Sequence, residues 1–264
     1  MAGTERRISF ASKDERPGRA ATQSRPPGDM TRRPGAVGTA ALALLVSRVA
    51  HAQDKVTVPQ AVATSTRESI HIDAVLDEAT WAHSTPIGPL IQREPKEGAA
   101  ASEETEVRVA FDADNIYFGI TCHDRTPSAI VTTQLARDAH LDVDDHVLIV
   151  LDPYFDHRNG FFFEVNPAGA RTDGQISNNA QELSKEWDGI WQARTRITTE
   201  GWIAEIAIPF KTLRFKPGQD VWGLNVERSI KRRQEKERWA SPGRDVWIAN
   251  LAAAGQLRGL GLPA

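Results

Sequence analysis

The stretch His140–Gly160 reads HLDVDDHVLIVLDPYFDHRNG, and its middle decides the fold. From Val147 to Leu151 every residue is aliphatic. A half-exposed strand alternates apolar and polar side chains, so an unbroken apolar run of this length predicts a central strand covered on both faces. Five carboxylates surround it, at Asp142, Asp144, Asp145, Asp152 and Asp156. An extended chain advances about 3.3 Å per residue, which sets Asp145 and Asp152 about 23 Å apart. A glycosidase pair works at about 5 to 10 Å, so these two acids cannot act together on one bond. They belong to two clusters, one at each strand end.

The chain turns through PYFDHRNG and returns as FFFEV. An antiparallel return sets Asn166 beside Asp145, and Asn166, Arg171 and Asp173 then join Asp142, Asp144 and Asp145 at one end. Those oxygen-rich side chains read either as solvated loop acids or as calcium ligands at Asp142, Asp144, Asp145 and Asp173. The spacing is not that of an EF-hand loop, because Leu148 and Ile149 fall where ligands belong. At the other end Asp152, Asp156, His157 and Asn159 read as turn residues. Glu164 alternates with Phe163 and Val165; it reads either as a carboxyl of raised pKa set between aromatics and able to act as an acid or, the preferred expectation, as a residue of the outer, solvated face of its sheet.

Period-two patterning continues elsewhere. EVRVAFDADNIYFGITCHD, residues 106–124, predicts a hairpin turning at DADN, and WQARTRITTEGWIAEIAIP, residues 191–209, a second turning near Glu200-Gly201. VWGLNVERSI alternates Trp222, Leu224 and Val226 against Asn225 and Glu227. Helical signals are confined to LDEATW near Asp77 and a turn at PFKTL. Many short strands with few helices predict an all-β protein, an antiparallel, jelly-roll-like β-sandwich. No repeat or linker divides Val56 to Leu262, so residues 53–264 read as a single domain.

The preceding residues have another character. From Met30, MTRRPGAVGTAALALLVSRVAHA gives a basic start, a short apolar run and the small-x-small pattern of Ala50-His51-Ala52. That is an export signal over 30–52, too short in its apolar part to span a bilayer, and it predicts a periplasmic, outer-membrane or secreted protein. Residues 1–29 are rich in Arg, Pro and Ser and read as a disordered extension.

The net charge of −3 over 264 residues argues against a nucleic-acid partner. The lone Cys122 lies in an apolar stretch and reads as a small core residue. No Cys-x-x-Cys-His motif is present for haem attachment, and no Ser-His-Asp or Cys-His arrangement is evident. The aromatic side chains are more telling. Trp81, Trp202 and Trp222 sit in patterned elements and read as core. Trp187, Trp191, Trp239 and Trp247 lie in loops beside acids, amides and arginines, a setting that serves either packing or the stacking of pyranose rings on indole.

Taken together, IHIDAVLDEATW, VRVAFDADNIYFGITCHD, DDHVLIVLDP, GWIAEIAIPFKTL and WGLNVERSIKRR resemble the family 9 carbohydrate-binding module. The narrower likeness is to the version found at the N-terminus of bacterial exported proteins that continue into an outer-membrane β-barrel. The likeness runs from about Ile70 to Leu262. It implies a β-sandwich that grips sugar chain ends between two Trp, with calcium as structural support. Trp247 matches one of the two; near Asp142, where the other is expected, the sequence reads AHLDV. The resulting expectation is a non-catalytic module binding a poly- or oligosaccharide at Trp247, with Trp187, Trp191, Asn166 and Arg171 alongside. The alternatives are a glycosidic-bond hydrolase, or a plug or interaction domain of a membrane barrel.

Overall fold

The computed structural model describes residues Val58–Gly261. The expected extension over 1–29 and the export signal over 30–52 lie outside the described residues. Within them the chain forms fourteen strands: β1 (Gln60–Val62), β2 (Thr64–Ser65), β3 (Ile91–Glu94), β4 (Thr105–Phe111), β5 (Asn115–His123), β6 (His146–Asp152), β7 (Gly160–Val165), β8 (Arg171–Ser177), β9 (Glu182–Ser184), β10 (Gln192–Thr198), β11 (Gly201–Pro209), β12 (Val221–Ile230), β13 (Glu235–Arg238) and β14 (Gly255–Arg258). The one α-helix, α1, spans Ala79–His83, and PFKTL supplies a 3₁₀ turn at Phe210–Thr212.

The strands build two sheets. The larger runs β1-β14-β12-β6-β7-β8-β9, with β13 bonded to β12 and β3 to β13; the smaller runs β10-β11-β5-β4-β2. The sandwich is as expected, but the pairing is not wholly antiparallel. β1 lies parallel to β14 and β2 parallel to β4. Ala63 separates these two short strands, so the incoming chain closes an edge of each sheet in turn.

Side chains from the facing surfaces fill one core: Val147, Ile149 and Leu151 of β6, Phe161 and Phe163 of β7, and Trp222, Leu224 and Val226 of β12 meet Val107, Phe118, Ile120, Trp202 and Ile206 of the small sheet. Each such large side chain contributes about 1.5–3 kcal/mol on burial. Cys122 is buried among them, and burial raises its thiol pKa. Both expected hairpins are present. In the second, Thr198 pairs with Gly201, whose φ of +138° and whose missing Cβ, 2.0 Å from the Cys122 carbonyl if it were present, admit glycine alone.

β6 is central, between β12 and β7, and covered on both sides as its apolar run predicts. The outer cover is Val150, Phe162 and Ile176 packed under Ile248, Ala249 and Leu251. That loop, descending from β13, creates the candidate site. On the outer face of the small sheet α1 plays the same part, laying Trp81 over Ala110, Tyr117 and Ala207.

Candidate carbohydrate-binding face

The register of the large sheet places one row of residues across its outer face. Glu164 on β7 pairs with Thr172 on β8 and with Leu148 on β6. Leu148 pairs with Glu227 on β12, and Glu227 with Arg238 on β13. Directly paired residues point to the same side, so Thr172, Glu164, Leu148, Glu227 and Arg238 form a transverse stripe. The neighbouring row lies under the loop that carries Ile248. The stripe therefore runs along that loop's border.

Arg238 fixes the loop. Its guanidinium is buried; Nε and Nη2 donate to Glu227 Oε2 at 3.0 and 2.5 Å, while Nη1 donates to the carbonyl oxygens of Val246 (2.7 Å) and Ser241 (3.3 Å). Arg93 and Arg244 add a second tether, each donating to the other's carbonyl oxygen. Next to the held Val246 stands Trp247, 51% exposed, while its other neighbour, Ile248, is buried on the outer cluster. A large apolar ring is thus presented to solvent from a braced backbone at the edge of a polar stripe.

Glu164 is the other distinctive group. The expectation of a solvated sheet face fails here, because its side chain is only 12% exposed and His146 lies against it from the neighbouring strand. Burial raises its pKa, His146 and Lys185 draw it down, and Asp142 and Glu227 push it up. His146 Nδ1 faces the carbonyl oxygens of Leu141 and Asp144 at 2.9 Å each, which assigns the proton to Nδ1. Its Nε2 then points at Glu164 Oε1, 3.5 Å away.

The other aromatic candidates lie on the opposite side of the sheet. Phe162 and Phe163 are consecutive on β7, so they face opposite ways. Phe162 belongs to the outer cluster and Phe163 to the core, where Trp191 meets it edge-on at 5.2 Å and Trp187 at 6.1 Å. Trp191 is 2% exposed; its Nε1 donates to Asp173 Oδ1 (2.9 Å), and Arg171 covers its ring at 5.5 Å. It is a core residue with no free face. Trp187 is half-buried against Phe161 at 4.8 Å. Trp239 is buried as well. Asn166 is also structural: Nδ2 donates to the Gln134 carbonyl oxygen and Asp144 Oδ2 at 2.8 Å each, while Oδ1 accepts from Ala168 and Ala170. The sheet itself separates Trp247 from Trp187, Trp191 and Arg171, and one ligand ring cannot touch both groups.

Residues 72–250 match the family model described as carbohydrate family 9 binding domain-like. The chain belongs to this family. No curated protein matches it. Among solved structures, a family 9 carbohydrate-binding module from Caldicellulosiruptor kristjanssonii in complex with cellotriose is 16% identical, with a TM-score of 0.55 over 75% of this chain and 92% of that one. The same module in complex with glucose gives the same identity and TM-score, with 75% and 94% covered. A putative carbohydrate-binding protein from Bacteroides uniformis is 15% identical, with a TM-score of 0.62 over 76% and 99%. At these identities the likeness is one of fold.

In this family 9 domain the four acids read as calcium ligands diverge. Asp144 accepts from Thr133 N and Oγ1, Gln134 N and Asn166 Nδ2 at 2.7–2.9 Å. Burial alone would raise its carboxyl, but these donors hold it below the ordinary value. Asp145 turns toward Lys231 N (2.8 Å) and Arg232 (4.0 Å), leaving Oδ2 buried without a hydrogen bond. Asp173 lies on the inner face, held by Arg137 (2.7 Å), Trp191 and Gly189 N (2.7 Å). Asp142 is exposed on the Glu164 side. With Arg137 already set against Asp173, this quartet does not fit one calcium shell. Asp145 and Asp152 hold separate turns as the strand length requires, Asp152 accepting from the backbone of Asp156 and His157.

Proposed function

We propose that this chain is an exported, non-catalytic carbohydrate-binding domain that takes its sugar on the outer face of the large sheet. One pyranose face stacks on Trp247, and its hydroxyls meet the Glu164 carboxyl and the groups around it. The observation that carries this reading is the half-exposed indole on a loop braced by the buried Arg238–Glu227 pair. Indole offers a flat apolar surface suited to the CH face of a sugar, and a preorganised platform loses little entropy on binding. Family membership supports the saccharide class, and a family 9 module of similar fold is solved in complex with cellotriose and with glucose. The sequence 30–52 supports export.

With one indole where the resemblance implies two, the domain is expected to bind weakly and to rely on polar contacts for selectivity. A glycan array probed with the full chain and with Trp247→Ala tests the reading. Signal on neutral glycans that vanishes in the variant is expected; signal unchanged in the variant would overturn it. Release of reducing ends from the bound glycans would favour the hydrolase alternative instead.

A further inference from the structure

A second concave site lies at the other end of β6, on the other side of the large sheet from Trp247. It is a cavity of about 410 Å³ lined by Tyr154, Asp156, Asn159, Phe161, Gln175 and Arg214, among others, within the range of small-molecule sites. Phe161 and Gln175 are directly paired between β7 and β8, so the ring and the amide share one face. Trp187 packs against Phe161 with its ring tilted by 44° at a centroid distance of 4.8 Å. Tyr154 leaves the end of β6 with 42% of its surface exposed.

The polar groups here differ in how far they are committed. Asp156 is taken up by its own turn: Oδ1 accepts from the backbone of Arg158 and Asn159, and Oδ2 from Asn159 Nδ2, each at 2.8 Å. Burial works against ionisation, but these donors keep the carboxyl below its ordinary value. Arg214, the Tyr154 hydroxyl and the Gln175 amide enter no ion pair or side-chain hydrogen bond among the described residues. They reach the cavity from three separate segments: the β6–β7 turn, β8 and the loop after Phe210–Thr212. An aromatic face, an amide and an unopposed guanidinium fork together suit a sugar ring that carries a carboxylate, because the fork matches a carboxylate with two parallel hydrogen bonds.

We propose that this cavity is a second saccharide site, specific for a uronic acid residue, with Tyr154 as the stacking ring and Arg214 as the carboxylate clamp. The site is independent of Trp247, so a chain of mixed composition could engage the domain at two places at once. Digalacturonate, titrated calorimetrically into the full-length chain, tests it, with Trp247→Ala, Tyr154→Ala and Arg214→Gln as variants and cellotriose as the neutral control. Tyr154 and Arg214 are exposed, so their variants keep the fold, which circular dichroism checks. Digalacturonate is expected to bind Trp247→Ala as it binds the parent, and to lose about tenfold or more in Tyr154→Ala and in Arg214→Gln. Absence of digalacturonate binding to the parent overturns the proposal. So does binding that disappears in Trp247→Ala but persists in Arg214→Gln, or binding of cellotriose at Tyr154 that ignores Arg214. Failure of cellotriose to bind anywhere, with digalacturonate binding intact, contradicts the Trp247 reading alone.

Discussion

Arg238 and Glu227 face each other across β12 and β13, both buried, and the guanidinium nitrogen that Glu227 leaves over holds the Val246 carbonyl one residue before Trp247. The pair is thus the mechanical link between the sheet and the exposed indole. Removing one partner strands a buried charge, which costs about 3–5 kcal/mol, whereas removing both together costs much less. Arg238→Met is therefore expected to lose about that much in urea denaturation, and the double variant Glu227→Gln/Arg238→Met to recover a large part of it. Both are expected to weaken saccharide binding, because both release Val246.

Glu237, on the same hairpin, is fully buried, and burial pushes its carboxyl up to about 8, against the pull of Arg228. The folded chain then keeps a proton that the unfolded chain gives up above the ordinary value of 4.5. Stability therefore falls as pH rises from about 4.5 to about 8 and levels off beyond. Glu237→Gln removes this group's titration. Denaturation midpoints of the parent and the variant between those limits are expected to diverge steadily, the variant gaining at the alkaline end. Parallel midpoints would refute the assignment.

Asp144 works in the opposite sense. Its donors lower the folded pKa, so its contribution is present above the ordinary value of 3.8 and fades as pH falls through the folded value. At neutral pH, Asp144→Ala leaves the buried amide of Asn166 and the Thr133–Gln134 backbone without their acceptor. The expected cost is about 1–3 kcal/mol for each donor that water cannot reach. Thermal unfolding of the variant should show a clear fall in midpoint, and it should show the same fall with and without a chelator.

Glu164 carries a prediction that separates binding from stability. Its carboxyl is desolvated in the folded chain, so Glu164→Gln relieves a cost of folding while removing an acceptor from the proposed sugar face. The variant is expected to melt at or above the parent temperature at neutral pH and to bind saccharide about tenfold more weakly. A variant that binds as well as the parent would remove Glu164 from the site.

Much of the sandwich was legible because it rests on local pattern. Val147–Leu151 announces a two-sided strand by its lack of alternation, and Trp202 and Trp222 announce the core by their spacing among aliphatics. β1 and β2 are three and two residues long, too short to carry a period, and their parallel partners, β14 and β4, are far along the chain; no local rule reports them. The loop tryptophans divide for a similar reason. Trp191 and Trp247 have comparable neighbours in sequence, but Trp191 enters β10 under Phe163 whereas Trp247 rides over β6 on Ile248. Glu164 reads as solvated because its alternation is visible, whereas the approach of His146 from the neighbouring strand is not. The Glu227–Arg238 pair spans a hairpin whose turn, KRRQ, gives no turn signal of Gly or Pro. The acids of HLDVDD look like one cluster in sequence and separate in space because Asp142 sits in a 3₁₀ turn, while Asp144 and Asp145, successive where the chain becomes extended, turn to opposite sides.

The central claim is that saccharide binds on the Trp247 side of the large sheet. The most direct measurement is a nitrogen–proton correlation spectrum of the tryptophan indoles during titration with cellotriose, with the Trp247 signal assigned from Trp247→Phe. The account predicts that the Trp247 indole signal moves in proportion to occupancy while those of Trp187 and Trp191 stay in place. Movement of Trp187 or Trp191 with a stationary Trp247 would contradict it.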